Sequence, residues 1–317
     1  MRYLNELREN ERVLEHYFCK QKNTLKTKSG RDYYSLKLQD KTGVVDAKVW
    51  ELHSDIGDFD EGDVIKVDGI VLLYNGETQI KINRIRKSLE GEYELGEYMP
   101  RTDKDIDQLY NQLLGYIGSL TEPCLQRLLE LIIVENQDIA GAITSHSAAK
   151  QMHHSYLGGL LEHTVSVVEI CDFMSNRYKS VNRDILITSA ILHDIAKIFE
   201  LSPMPTNAYT DDGQMLGHIY LGAELISREC AKIPDFPHQL ESMLKHAILA
   251  HHGEYIFGSP KLPMTMEAFI LHVADNMDAK IKVFEDIVNK ETSQESPGPW
   301  MGYNKMLERY VRKSDYE

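Results

Sequence analysis

Over about the first 90 residues, apolar and polar positions alternate with a period of two. From Tyr33 to Trp50 the chain reads YYSLKLQDKTGVVDAKVW, two alternating runs separated by turn residues at Asp40–Gly43, which predicts a β-hairpin. The stretch DVIKVDGIVLLYNGETQIKINRI repeats the pattern, with Asn75–Gly76 as the tight-turn pair between strands. Four or five strands in succession, with no long helix between them, predict a small five-stranded barrel of the OB type rather than a sandwich.

Beyond residue 98 the period changes to 3.6 or the segments become apolar nearly all round. IDQLYNQLLGYIGSL, LQRLLELIIVENQDI, GGLLEHTVSVVEICDFM, RDILITSAILHDIAKIF, GAELISRECAKI, QLESMLKHAILA and MEAFILHVADNMDAKIKVFEDIV together predict an all-α bundle. SLEGEYELGEYMPRT, residues 88–102, keeps neither period and gathers Gly, Glu and Pro, as a connector does. The expected chain is therefore multidomain. It has an all-β OB-like nucleic-acid-binding barrel over 1–97, a helical connector over 98–150, an all-α bundle over 151–291, and a tail over 292–317 ending in a short amphipathic helix.

With 317 residues, 42% of them hydrophobic, the chain is long enough for two cores. The net charge of −14 divides into −3 over residues 1–97 and −11 over 98–317, so the acidity belongs to the helical part. Within 20–48 the balance reverses. Lys20, Lys22, Lys26, Lys28, Arg31, Lys37, Lys41 and Lys48 outnumber Asp32, Asp40 and Asp46, a local excess suited either to a phosphate backbone or simply to a solvated face. Tyr33, Tyr34, Trp50 and Tyr74 lie in the same predicted strands, where aromatics stack on unpaired bases or else fill the barrel. Cys19, Cys124, Cys171 and Cys230 form no CxxC pair and suggest neither a zinc ribbon nor a disulfide framework. No leader pattern opens the chain and no stretch approaches the roughly 18 apolar residues of a membrane span, so a cytoplasmic location and no membrane partner are expected.

Eleven of the 13 histidines lie beyond residue 98. His163, His193–Asp194, His218, His251–His252 and Asp275 each fall near a helix or its end. Mixed imidazole and carboxylate donors suit Mn, Fe, Ni, Co or Zn, whereas carboxylates alone suit Mg. Asp194, with two oxygens and a histidine beside it, is the natural bridge between two cations. A pair of cations roughly 3.5–4 Å apart holds a phosphate and activates a water for in-line displacement, which makes phosphoester hydrolysis the expected chemistry. Any one of these histidines alone would more often be a packed or surface residue. Lys197 follows His193 at i,i+4, on the same predicted helix face, and is expected at the scissile phosphate. His246 and His272 read as packing or supporting residues. The Gly158–Gly159 pair fits either a nucleotide backbone or close helix packing.

HTVSV, LHDIAK, GHIYLGAELI, LAHHGE and HVADNMDA resemble the successive motifs of the HD phosphohydrolase superfamily over roughly 150–290. HHSYLGGLLEHT and HHGEYIFGSPKLPMTMEAFILHVADNMDAK, behind an OB module, are similar to the YhaM-type 3′→5′ exoribonucleases, a likeness that covers nearly the whole chain. The resemblance implies stepwise removal of nucleoside 5′-monophosphates from the 3′ end of single-stranded RNA; single-stranded DNA is a further expected partner. The resemblance also implies two divalent ions, preferentially Mn²⁺, and a role in RNA turnover. Carried over, it places His163, His193, Asp194 and Asp275 on one ion, and Asp194, His218, His251 and His252 on the other, with Asp194 and Lys197 catalytic. His153, His154, Lys26, Lys28, Tyr33, Tyr34, Lys37 and Trp50 are the expected substrate contacts, and a homo-oligomer is the expected assembly.

The sequence departs from the cyclic-dinucleotide branch of the superfamily, because Gly253-Glu254-Tyr255 replaces the Gly-Tyr-Pro that should follow the double histidine. Two readings compete: a hydrolase of nucleotides or cyclic dinucleotides with a regulatory barrel, and a non-catalytic single-strand-binding factor. Five histidines and two aspartates in order weigh against the second. Trp300 and Tyr303 in the tail would either cover the active site, in the same or a neighbouring subunit, or dock on the bundle.

Overall fold

The computed structural model describes residues 2–53, 55–74, 76–150, 156–290 and 299–314. The chain divides into two compact units, with the boundary between Arg101 and Thr102.

The first unit is a closed barrel of β1 (Arg12–Lys26), β2 (Asp32–Asp40), β3 (Gly43–Val49), β4 (Val64–Tyr74) and β5 (Glu77–Lys87). Its strand order is β1-β2-β3-β5-β4, every pairing antiparallel except β3 with β5. Closure depends on the length of β1. Arg12–Phe18 pairs with β4 and Phe18–Lys26 with β2, and a bulge at Cys19/Gln21 turns the strand between its two partners. The period-two pattern places Val13, Tyr17, Leu36, Leu38, Ala47, Val49, Val67 and Ile80 in the barrel core. Asn75 lies outside the described residues, so only Gly76 of the expected turn pair is seen, with φ 85°.

The second unit is helical: α1 (Ile106–Gly118), α2 (Pro123–Leu129) running into a π-helical turn at Glu130–Glu135, α3 (Gln137–Ser145), α4 (Gly159–Arg177), α5 (Arg183–Leu192), α6 (Lys197–Glu200), α7 (Asp211–Cys230), α8 (His238–Ala250) and α9 (Met266–Lys290). Every residue of α5 from Asp184 to Leu192 is buried, which is what a segment apolar all round becomes when helices surround it. This central helix carries the chain into the middle of the unit just before His193–Asp194.

Two expectations are corrected. The stretch read as a helical connector shares one core with the helices that follow, since Leu113, Leu125, Ile133 and Ile143 pack in the same cluster as Leu161, Ile187, Ile248 and Leu271. The tail forms a β-hairpin, β6 (Trp300–Asn304) with β7 (Arg309–Arg312), in place of an amphipathic helix. Its aromatic and β-branched residues favour a strand, and the Asn304 side chain accepts from the Met306 and Leu307 amides to close the turn. Met301 and Val311 bury their side chains with Val283 of α9, while Trp300 and Tyr303 stay exposed. Gly158, just before α4, is explained by packing, because a Cβ there would overlap the Ile106 side chain.

Asp184 ties α5 to the turn between α1 and α2. One carboxylate oxygen accepts from the Thr121 amide, the Thr121 hydroxyl and the Glu122 amide, each at 2.7 Å. Burial opposes the charge, but these donors outweigh it and hold the Asp184 pKa below the usual range. Asp184→Ala should therefore cost about 1–3 kcal/mol, the penalty for stranding such donors, and Asp184→Asn less, read from urea unfolding of the full chain. Because the folded-state pKa is depressed, this stabilisation is present above the ordinary aspartate pKa and fades as pH falls through the folded value.

Candidate active site

Seven of the expected site residues meet inside the helical unit. Asp194, 2% exposed at its side chain, stands at the centre with its two oxygens divided between two groups of imidazoles. Its Oδ2 lies 3.4 Å from His163 Nε2 and 3.3 Å from His193 Nε2. Its Oδ1 lies 3.5 Å from His218 Nε2 and 3.8 Å from His251 Nε2. Asp275 Oδ1 joins the first group, 3.2 Å from His163 and 4.0 Å from His193. His252 joins the second, its ring centroid 4.3 Å from that of His251. Two triads, His163–His193–Asp194 and His218–His251–His252, each bring their ligand atoms within 4.8 Å of one another.

Every one of these rings donates through Nδ1 to a fixed acceptor. His193 donates to the Ala190 carbonyl (2.8 Å), His251 to that of Ile248 (2.7 Å) and His252 to that of Phe257 (3.0 Å). His163 donates to Asp278 (2.7 Å) and His218 to Glu200 (2.9 Å). A carbonyl only accepts, so this pattern fixes the proton on Nδ1 and turns the Nε2 lone pairs toward the centre. Asp278 and Glu200 were not among the expected site residues. Asp278 sits three residues after Asp275 on α9, a helical spacing within the quoted HVADNMDA that offered a signal. Glu200 offered none, since only the fold sets it against a residue 18 positions away.

Local backbone choices aim these rings. α5 ends at Leu192 and α6 begins at Lys197, so His193 to Ala196 form a turn, and Lys197 is not on the helix expected to carry it. It still reaches the site, its ammonium 2.6 Å from Asp194 Oδ2. α7 breaks at Gly217, whose φ of 74° is open to glycine and strained for other residues. The break frees the His218 amide, and Glu200 Oε1 accepts from both that amide (3.0 Å) and the His218 ring. After the double histidine, Gly253 has φ 78°, and a Cβ there would overlap the His272 imidazole. His272 donates to the His251 carbonyl at 2.9 Å, and His246 accepts from the Met264 amide at 2.9 Å; both support rather than join the cluster.

The donors fit divalent cations. Asp194 Oδ1, His218 Nε2 and His251 Nε2 are buried with no hydrogen-bond partner among the described residues, a cost that folded proteins rarely leave uncompensated. Burial pushes His251 well below the usual histidine range, and His252 and His193 push it further, so the ring is held neutral, as metal binding requires. Burial opposes a proton on His163, yet Asp194, Asp275 and Asp278 outweigh it and hold its pKa well above the ordinary value. A cation competes with that proton for the same lone pair. Burial likewise opposes charge on Asp194, but Lys197 and His193 hold it ionised.

The expected substrate contacts that the structure describes all lie in the barrel unit. Tyr33 stacks on Trp50 on the outer face of the barrel, centroids 4.6 Å apart. Tyr34 turns instead toward the core, edge-on to Phe59, with Lys22 over both rings. Lys37 is paired with Asp46 at 3.3 Å, which weakens it as a phosphate contact. Lys26 and Lys28 are exposed, at the end of β1 and in the β1–β2 turn. On the same outer face Lys48 of β3 neighbours Lys81 of β5, a lysine the sequence reading passed over. His153 and His154 lie outside the described residues.

Comparison with known proteins agrees with both units. Residues 20–87 match the OB-fold nucleic acid binding domain and residues 160–280 the HD domain. The class is thus an OB fold joined to an HD domain, the latter a metal-dependent type. A Geobacillus sp. (strain WCH70) protein, 3′-5′ exoribonuclease YhaM, is 33% identical over 83% of this chain and 80% of its own length. The Listeria welshimeri protein of that name is 33% identical over 82% of each. A solved second OB-fold domain of replication protein A from Methanococcus maripaludis is 23% identical over 29% of this chain and 98% of its own, at a TM-score of 0.23. The chain belongs to the YhaM family of 3′-5′ exoribonucleases.

Glu200→Gln should lower the affinity for Mn²⁺ by about 10–100-fold, the scale lost with the hydrogen-bond partner of a ligand histidine. Equilibrium dialysis against the wild-type chain measures it, and undiminished affinity would remove His218 from the metal-binding set.

Proposed function

We propose that this protein shortens single-stranded RNA from its 3′ end, with single-stranded DNA as a further substrate, using two divalent ions, preferentially Mn²⁺. The supporting observation is Asp194, whose two oxygens face two separate groups of imidazoles. His163, His193, Asp194 and Asp275 would hold one ion, and Asp194, His218, His251 and His252 the other. When bound, the ions supply positive charge to the phosphate and acidify a water.

The chain's own groups supply the rest. The Nδ1 hydrogen bonds hold the five rings in one tautomer, so no ligand has to reorganise as substrate arrives. Lys197, kept charged by Asp194 against the cost of burial, would face the non-bridging oxygens of the scissile phosphate. In the reaction the water oxygen adds to phosphorus and the bond from phosphorus to the upstream 3′-oxygen breaks. A proton goes to that oxygen, leaving a shortened strand and a nucleoside 5′-monophosphate.

The barrel would hold the unpaired strand. Tyr33 and Trp50 offer a stacking surface, and Lys26, Lys28, Lys48 and Lys81 would follow the phosphates. No helix among the described residues is long and apolar enough to cross a membrane. A cytoplasmic role in RNA turnover, as a homo-oligomer, is the separate expectation carried by the family reading.

With 5′-labelled single-stranded RNA and Mn²⁺, products should shorten one nucleotide at a time from the 3′ end and stall at stable duplex. Internal cuts or release of the labelled end first would overturn the reading. Asp194→Asn should reduce the rate by more than about 10²–10³-fold, the scale lost with one transition-state-stabilising group. Trp50→Ala should weaken binding of long single strands by about 5–150-fold, as loss of one stacked base does. Filter binding at fixed salt measures the latter.

A further inference from the structure

A cavity of about 450 Å³ opens beside the histidine cluster, lined by Ala148, Ala149, Lys150, Lys197, Glu200, Leu201, Tyr209 and His218. Lys197 and His218 belong to the cluster already described. Tyr209 and Lys150 are the unexplained members. Tyr209 is 46% exposed, a large ring left half in solvent at the wall of a ligand-sized hollow. The Lys150 ammonium lies 5.2 Å from the centre of that ring. Lys150 makes no ion pair among the described residues, so its charge is held against an aromatic face rather than a carboxylate.

The walls are built to stay in place. Tyr209 pairs with Leu201 in an isolated β-bridge. Ser202 donates to the Ala208 carbonyl (2.7 Å) and Thr210 to that of Glu200 (3.0 Å). Opposite them, the buried Asn207 ties down residues 147–150. It accepts from the Ser147 hydroxyl at 2.8 Å and donates to the Ala149 carbonyl at 3.0 Å. Asn207 adopts φ 43°, a conformation asparagine tolerates better than most residues. The cavity thus combines a fixed aromatic platform, small apolar walls at Ala148 and Leu201, two lysines and one carboxylate. A nucleotide presents the complementary set: a flat base, a phosphate and ribose hydroxyls that donate.

We propose that this cavity receives the 3′-terminal nucleotide of the strand, with its base stacked on Tyr209. The inference deepens the exonuclease reading and rests on it for the polarity of the strand. A cavity of about 450 Å³ has room for one nucleotide.

Two measurements on the full chain with Mn²⁺ test it. Adenosine 5′-monophosphate, titrated calorimetrically, should bind Tyr209→Ala about 5–150-fold more weakly than wild type, the effect of losing one base–aromatic stack. Tyr209→Phe, which keeps the ring, should stay within about twofold of wild type. On 5′-labelled RNA, removing the base of the 3′-terminal residue should reduce kcat/KM by a similar factor in the wild type and cause no further loss in Tyr209→Ala. Equal nucleotide affinity in all three proteins, or losses from variant and abasic end that simply multiply, would overturn the proposal. If the strand were attacked from its 5′ end or internally, the exonuclease reading would fall, while the titration would still decide whether Tyr209 carries a base.

Discussion

A carboxylate buried among imidazoles is the constraint on which the helical unit depends. Removing Asp194 from water costs several kcal/mol unless neighbouring groups compensate, and the fold answers with Lys197 at 2.6 Å and histidines on both oxygens. Each histidine must in turn be held in the right tautomer, which requires an acceptor behind every Nδ1. Three of these acceptors are main-chain carbonyls, at Ala190, Ile248 and Phe257, so the helix ends themselves become part of the site. The turn after α5, the break in α7 at Gly217 and the left-handed Gly253 all interrupt helices where uninterrupted ones would pack more simply. They persist because the buried charge cluster needs those carbonyls and amides at those places.

The charge distribution divides the work. The helical unit belongs to the −11 part of the chain, yet the proposed substrate is a polyanion. Its attraction for phosphate must therefore be local, from Lys197, Lys150 and the cations the cluster suits, against an unfavourable long-range field. The barrel supplies what the helical unit lacks, with a local basic excess over residues 20–48 and the stacked Tyr33–Trp50 pair. Stacking is blind to sequence, which suits an enzyme that consumes whatever lies at a free end.

Much of this was legible from residue order. The change of period near residue 98 separates barrel from bundle, and the spacing of histidines and aspartates picks out the residues that meet at Asp194. Residues whose roles depend on tertiary neighbours were hidden. Glu200 looks like an ordinary helix-end glutamate until the fold sets it behind His218, and Tyr209 and Lys150 are 59 positions apart in sequence. Lys197 reached Asp194 by a different route from the one its spacing suggested, because the helix stops at Leu192. The tail misled because YNKMLERYVRK is too short for its period to separate helix from strand, and the deciding contact is Met301 and Val311 against α9.

The cluster and the cavity beside it differ in what a substitution would do. A histidine cluster with all its Nδ1 protons directed outward leaves few ways to fail short of losing the metal, so variation at the cluster would be read mainly as presence or absence of activity. The cavity walls are different. Tyr209 lies on an isolated bridge and Lys150 on a segment held by one asparagine, and neither contributes to the buried cluster that makes up the core. Changes there would alter how tightly a terminal nucleotide is held, at little cost to folding. The cavity shares Lys197, Glu200 and His218 with the cluster, so only Tyr209 and Lys150 are open to change without touching the chemistry of the HD scaffold.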